Sequence, residues 1–97
     1  MINIVLASDH NGIELKEKIK DYLIKTSIFN PIDIGPFDTR KVDYPDYAHQ
    51  ASTIVASDDV QLGILICGSG IGMSIAANKV AGIRAALVHN TQTAPLT

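Results

Sequence analysis

The residues most able to do chemistry lie together in one short segment of the chain. The only cysteine ends an apolar run, and glycines follow it at three alternate positions, before a stretch typical of a helix. In order, the residues are Cys67, Gly68, Ser69, Gly70, Ile71 and Gly72. A tight turn at a helix N-terminus points backbone N–H groups outward, and the helix dipole favours negative charge there. Because the same field favours the thiolate form of a cysteine, the pattern predicts a base or nucleophile beside an anion-binding loop.

Other polar side chains follow other apolar runs. Asp9 and His10 come directly after the first run, where such a pair can transfer protons and bind anions, or can simply end a strand and cap a helix. Tyr44 precedes Pro45 and most simply sets a helix start, although its phenol is long enough to reach a nearby cleft. His49 is expected to face solvent, and the role of His89 stays open.

The residue at position 73 argues against two other interpretations of the glycine segment. Met73 stands where a dinucleotide-binding fingerprint needs glycine and where a phosphatase loop needs arginine, and no Walker sequence is present. The structural alternatives remain that Cys67 is a small buried hydrophobic residue and that Ser69 is an ordinary turn residue. No metal site is predicted, because the histidines are scattered and lack paired ligand spacing.

The segments that must position these residues alternate between strand and helix patterns. Strands are predicted at 2–7, 32–34, 61–67 and 83–88, and helices at 11–25, 45–57, 70–80 and from about 91 onward. Asn11 and Glu14 resemble a capping box, Asn30-Pro31 indicates a break, and 37–44 is predicted to be a polar loop. This order predicts a three-layer, doubly wound, Rossmann-like parallel sheet, with the ligand beyond the carboxyl ends of the strands.

Length and composition limit the possible functions. The 97 residues suit one small domain, and a net charge of −2 with few aromatic residues argues against a nucleic-acid surface. A single cysteine excludes an internal disulfide and favours a reducing, cytoplasmic setting. The first apolar run reads as a strand rather than a signal peptide, and no segment is apolar enough to predict a membrane span.

The chain resembles the B-type ribose-5-phosphate isomerases and their relatives, the galactose-6-phosphate isomerase subunits. The matching segments are A-S-D-H-N-G at 7–12, D-Y-P-D-Y-A at 43–48, the strand, loop and helix of 63–79, and G-I-R-A-A-L at 82–87. The resemblance implies an aldose–ketose isomerase of a phosphorylated pentose in pentose phosphate metabolism, working without metal or organic cofactor.

The resemblance also implies roles for particular residues. Cys67 matches the family's base, and Ser69 matches a hydroxyl that moves a proton between two sugar oxygens. Asp9, His10 and Tyr44 match residues near the sugar. The amides expected to hold the developing oxyanion are those of Gly68, Gly70, Ile71 and Gly72.

The resemblance implies more sequence than these 97 residues contain. Family members continue with a His-Asn pair, a fifth strand and a long helix, which supply a ring-opening histidine and phosphate-binding arginines from a partner subunit. His89 and Asn90 come too early to match that pair. We therefore expect a chain truncated at its C-terminus, weak or inactive alone, whose sites are shared in a homodimer or dimer of dimers. The alternatives are a galactose-6-phosphate isomerase subunit and a non-catalytic sugar-phosphate-binding module.

Overall fold

Helices and strands alternate along the chain, as the sequence pattern predicts. The computed structural model describes residues 1–38 and 40–97. Its elements are β1 (Ile2–Ser8), α1 (Ile13–Thr26), β2 (Phe29–Asp33), α2 (Tyr44–Ala56), β3 (Leu62–Ile66), α3 (Ile71–Asn78) and a 3-10 turn (Ala94–Leu96). The loop predicted over 37–44 includes Thr39, which lies outside the described residues. Proline stands at the start of α2, where its missing N–H costs no hydrogen bond.

The sheet is parallel and has the strand order β2-β1-β3 in the described part of the chain. The chain leaves the central strand β1 toward one side to form β2 and then crosses to the other side to form β3. This reversal defines a doubly wound α/β fold and confirms the predicted fold class. In such a sheet the ligand-binding edge lies at the carboxyl ends of the strands, beside the point of reversal.

Helices cover both faces of β1, because successive side chains of a strand point to opposite faces. Ile4 and Leu6 are buried on one face with Leu23 of α1. Val5 and Ala7 are buried on the other face, and Ala51 of α2 belongs to the same cluster. The helix α3 packs beside α2, so the molecule has the three layers that the pattern predicts.

The break predicted at Asn30-Pro31 is wrong, because both residues lie within β2. Pro31 stands opposite Ile4 of the central strand. A proline cannot donate a ladder hydrogen bond, but β2 is an outer strand of this sheet, where one side of the backbone needs no partner. The position of the strand in the sheet therefore overrides its local composition.

The fourth strand predicted over 83–88 is also wrong, since this segment has no strand conformation in the structure. A side chain takes the place of a neighbouring strand: the amide group of Asn78 bonds both the N–H and the carbonyl of Ala85. The fourth helix predicted from about residue 91 is only the 3-10 turn Ala94–Leu96.

The capping box predicted at Asn11 and Glu14 is not formed. The helix α1 begins at Ile13, its N-cap is Gly12, and the N–H of Asn11 donates to the Asp9 carboxylate at 2.9 Å. A Cβ at Gly12 would lie 2.9 Å from the Ile66 carbonyl oxygen and from the Ser8 Cβ, so only glycine lets α1 start this close to the sheet.

A buried ion pair joins α1 to β2. The Lys16 side chain is fully buried, and its Nζ lies 2.6 Å from an Asp33 carboxylate oxygen. The same ammonium group donates to the Pro36 carbonyl at 2.9 Å and lies 4.9 Å from the centre of the Phe37 ring. Lys20 lies 3.2 Å from the second Asp33 oxygen. These contacts give each charge an opposite or polar partner, as burial requires.

Candidate functional site

The carboxyl ends of β1 and β3 bring two of the predicted groups next to each other. Ser8 and Ile66 are paired in the sheet, and the Asp9 N–H donates to the Ile66 carbonyl at 3.0 Å. Asp9 follows the end of β1 and Cys67 follows the end of β3, so the Asp9-His10 turn lies beside the cysteine loop. The topology therefore places both at the edge where doubly wound folds bind ligands.

The sulfur of Cys67 lies at the start of α3. The N–H of Gly70 donates to the Cys67 Sγ at 2.9 Å, and the cysteine is half-buried. Gly70 has a φ of +78° and is the N-cap of α3, so the turn uses a backbone conformation that suits glycine. The sulfur therefore lies next to a backbone N–H donor at the N-terminus of a helix.

Ser69 is the second polar group of the loop and is exposed. Its Oγ accepts a hydrogen bond from the N–H of Ile71 at 3.2 Å, so the hydroxyl hydrogen itself is free to be donated. Beside it, a Cβ placed on Gly68 would meet no described atom within 4 Å, which leaves open space next to the loop.

Asp9 and His10 are both held by backbone N–H groups. The buried Asp9 carboxylate accepts from Asn11, as described above. The Nδ1 of His10 accepts a long hydrogen bond, 3.4 Å, from the N–H of Val42 in the segment before α2. When Nδ1 is the acceptor in a neutral imidazole, Nε2 carries the hydrogen, so His10 can donate to a ligand.

Tyr44 reaches the cysteine loop through Gly72. A Cβ on Gly72 would lie 2.7 Å from two carbons of the Tyr44 ring, so the ring packs against this glycine in the first turn of α3. Tyr44 also lines a cavity of about 490 Å³ between α2 and α3. His49, which the sequence predicts to face solvent, is exposed but lines the same cavity.

A groove of about 810 Å³ runs between β3 and the segment 82–89. Four of the predicted site residues line it, namely Cys67, Gly68, Ser69 and Gly70. The other five do not line it: Asp9, His10, Tyr44, Ile71 and Gly72. His89 does line the groove, and so does Arg84, which stands in the matched segment G-I-R-A-A-L but carries no motif that predicts a role for its charge.

Two of the four amides expected to face an oxyanion already have acceptors. The Gly70 N–H bonds the cysteine sulfur and the Ile71 N–H bonds the serine oxygen. Among residues 1–38 and 40–97, no three His, Cys, Asp or Glu side chains come together as a metal-binding group. In the same described part, no helix is both long and apolar enough to cross a membrane.

Several known proteins are similar to this chain. The sequence profile described as Ribose/Galactose Isomerase matches residues 4–97. The chain is 50% identical over 97 residues to a probable ribose-5-phosphate isomerase B of Mycoplasma genitalium, covering 97% of this chain and 62% of that protein. It is 44% identical over 96 residues to the Escherichia coli ribose-5-phosphate isomerase B, covering 99% of this chain and 64% of that protein.

Solved structures show the same relationship. The Trypanosoma cruzi type B ribose 5-phosphate isomerase superposes with a TM-score of 0.93 at 41% identity, over 99% of this chain and 63% of that one. The Mycoplasma genitalium ribose-5-phosphate isomerase B, solved with bound ribulose-5-phosphate, has a TM-score of 0.89 at 45% identity and covers 98% of this chain and 63% of that one. The chain thus spans less than two thirds of the length of these relatives.

Proposed function

Because the chain belongs to the ribose/galactose isomerase family, we propose that it interconverts ribose 5-phosphate and ribulose 5-phosphate. The observation that carries the proposal is the hydrogen bond from Gly70 to the Cys67 sulfur at the start of α3, beside a groove. It supplies a stabilised base at the edge of the sheet, next to the hydroxyl of Ser69. Relatives named ribose-5-phosphate isomerase B support the choice of substrate.

The proposed reaction begins with the open-chain aldose. The Cys67 thiolate takes the proton from C2, the C–H electron pair forms the C1–C2 double bond, and the carbonyl electrons move to O1. Ser69 then donates its hydroxyl proton to O1 and accepts the proton of O2. The Cys67 thiol returns a proton to C1 as the C2 carbonyl forms, which completes the ketose and restores the thiolate. No oxidant, reductant or metal takes part in these proposed steps.

The backbone N–H groups of the loop fall into two groups, those that already have acceptors and those that could stabilise the enediolate. The N–H groups of Gly70 and Ile71 hold the base and the serine, so we assign the oxyanion to the N–H groups of Gly68 and Gly72. Such donors contribute about 3 kcal/mol each in well-studied enzymes, because they are aligned before charge develops. We assign Asp9, His10 and Tyr44 to the sugar, as the resemblance implies.

Replacement of Cys67 tests the proposed base. We expect Cys67→Ala to lower conversion of ribose 5-phosphate by about 100-fold or more, since a positioned general base contributes about 10²–10⁴-fold. The assay follows ketose formation and the entry of deuterium at C1 in heavy water. Cys67→Ser is the matched control for shape, and we expect it to be nearly as inactive. Unchanged turnover in Cys67→Ala would contradict the role of the cysteine.

Binding is measured separately, because the 97 residues are expected to be weak or inactive alone. Ribose 5-phosphate is expected to protect Cys67, the only cysteine, from alkylation by iodoacetamide. Galactose 6-phosphate, tested in parallel, distinguishes the two substrates in the family description. Protection without deuterium exchange would match both a non-catalytic binding module and a truncated isomerase, and lack of protection by either sugar phosphate would contradict the proposed site.

Three further expectations stay predictions. They are the shared site of a homodimer or dimer of dimers, the single domain over 1–97, and the reducing, cytoplasmic setting inferred from the lone cysteine. The first is supported by apolar side chains that α3 exposes: Ile71 is 52% and Ile75 is 55% accessible.

A further inference from the structure

One side chain at the end of α3 holds the segment that follows it. The Asn78 Nδ2 donates to the Ala85 carbonyl at 2.9 Å, and the Ala85 N–H donates to the Asn78 Oδ1 at 2.8 Å. The same Nδ2 also donates to the Ser74 carbonyl within α3 at 2.9 Å. Asn78 therefore bonds both backbone groups of Ala85 while it remains anchored to its own helix.

The segment held in this way contacts the cysteine loop two residues later. The Leu87 Cδ1 lies 2.7 Å from the position that a Cβ would take on Gly70. Val88, its neighbour along the chain, does not come within 4 Å of that position. Leu87 therefore packs against the residue whose N–H bonds the Cys67 sulfur.

We propose that Asn78 is a positioning residue for Cys67, acting through Ala85 and Leu87 on the Gly70 N–H. The contacts form a continuous series: the amide fixes the backbone at Ala85, this places Leu87 on Gly70, and Gly70 directs its N–H at the sulfur. Asparagine suits the first step because its amide carries a donor and an acceptor side by side, as a strand backbone does.

This inference deepens the proposed function, since it concerns the proposed base, but it does not need turnover for its test. In networks of packed groups of this kind, removal of one member changes the energetic coupling between the linked sites by a few fold to tens of fold. Loss of the Asn78 hydrogen bonds frees Leu87 and loosens the hydrogen bond from the Gly70 N–H to the Cys67 sulfur. The effect should therefore appear in the ionisation of the thiol rather than in its accessibility.

The experiment measures the rate of alkylation of Cys67 by iodoacetamide at two pH values. One is neutral, and the other lies well above the ordinary thiol pKa of about 8.5, where every accessible thiol is ionised. The alkaline rate reports access to the sulfur, and the ratio of the neutral to the alkaline rate reports stabilisation of the thiolate. We expect Asn78→Ala to lower this ratio about threefold or more, without lowering the alkaline rate. Circular dichroism first establishes that each variant is folded.

Leu87→Ala tests the next step and provides a second variant if Asn78→Ala does not fold. It should lower the ratio by a similar factor, and the double variant should lower it no further, because both changes break one series of contacts. Val88→Ala is the matched control for loss of an apolar side chain, and Ser74→Ala is the control for loss of a polar side chain on α3. Arg84 and His89, which line the groove, are retained in every variant.

The outcomes separate this proposal from the proposed function. An unchanged ratio in folded Asn78→Ala or Leu87→Ala would overturn the positioning role, and so would an equal fall in Val88→Ala. Equal changes of the neutral and alkaline rates would show a general loosening of the loop and would overturn it as well. Unchanged turnover in Cys67→Ala contradicts the isomerase mechanism, and the alkylation ratio still tests the link from Asn78.

Discussion

Cys67 and Ser69 each accept a hydrogen bond from a backbone N–H of the same loop, with different chemical consequences. For the sulfur, the bond holds the proposed base at the start of α3. For a hydroxyl, which can accept and donate at once, the bond orients the oxygen and leaves its hydrogen for a ligand. The loop backbone thus orients both of the groups that we propose as the base and the proton relay.

Replacement of Ser69 follows from this division of roles. We expect Ser69→Ala to lower kcat by about 100-fold while KM changes little, because a proton relay acts mainly in the transition state. Ser74→Ala, which removes a hydroxyl bonded to the Ile71 carbonyl in the next turn of α3, is the matched control and should keep both constants. A rise in KM with an unchanged kcat would indicate that Ser69 only binds the sugar.

The contact between α1 and β2 depends on charge rather than on apolar packing alone. Burial by itself would raise the pKa of Asp33, but hydrogen bonds from Lys16, the Gly35 N–H and Lys20 lower it below its ordinary value of 3.8. The pKa of Lys20 is raised, first by its hydrogen bond to Glu17 and, against the cost of burial, by Asp33. The ionised carboxylate is thus part of the folded state.

Acid should therefore weaken this contact. Since the folded pKa of Asp33 lies below its ordinary value of 3.8, its contribution to stability is complete above that pH and is lost as the pH falls through the folded value. We expect Asp33→Ala to lose about 3–5 kcal/mol at neutral pH, because it leaves Lys16 buried without its carboxylate. The stability of the variant should also depend less on acid than that of the parent chain, as measured by urea unfolding at several pH values.

Two controls separate charge from packing. Lys16→Met keeps most of the buried volume and leaves Asp33 with Lys20 and Gly35, so it should cost less than Asp33→Ala. Asp21→Ala changes an exposed aspartate of α1 and should keep the acid dependence of the parent chain. Equal losses of unfolding free energy in Asp33→Ala and Asp21→Ala would contradict the role of the buried pair.

The whole molecule is as compact as expected for its length, and it exposes apolar side chains at several places, α3 and the segment after it among them. Its radius of gyration is 12.5 Å, close to the value of about 13 Å expected for 100 residues. Large exposed apolar side chains include Ile71 and Ile75 on α3 and Leu87 and Val88 on the segment after it. Such patches commonly mark protein interfaces.

The predicted dimer can be tested on this surface. We expect sedimentation to give two or four times the chain mass of 10.4 kDa, for a homodimer or a dimer of dimers, and we expect Ile75→Glu to give a lower mass, because a charge cannot be buried there without a partner. Ile24→Glu is the matched control, since Ile24 of α1 is 56% exposed and Ile75 of α3 is 55% exposed. A single mass for the parent chain, or equal dissociation by both variants, would contradict an interface at α3.

Several elements were predictable because their signals are local. The apolar run before Cys67, the glycines after it and the small residues beyond Gly72 predict a strand, a turn and a helix, and the structure has β3, the loop and α3 there. Pro45 predicts the start of α2 for the same reason. The arrival of Asp9 beside the end of β3 was also predictable, because parallel strands bring their carboxyl ends to one edge.

Other features depend on partners that are distant in sequence. Pro31 is accepted in a strand only because β2 lies at the edge of the sheet, and the segment 83–88 is not a strand although its residues favour one. The hydrophilic residue Lys16 is fully buried because Asp33 and the Pro36 carbonyl surround its charge. No local pattern reports these contacts, since periodicity records which face a side chain takes and not what it meets there.

The sequence by itself determined the order of the first three strands and the first three helices, the parallel fold class and the family, because these follow from apolar periodicity, turn residues and recognisable motifs. Only the tertiary structure decided that the Gly70 N–H points to the cysteine sulfur, that Leu87 packs on Gly70 and that Asn78 holds the intervening backbone. The physical reason is that hydrogen bonds and contacts depend on distances between groups that the chain brings together only when it folds.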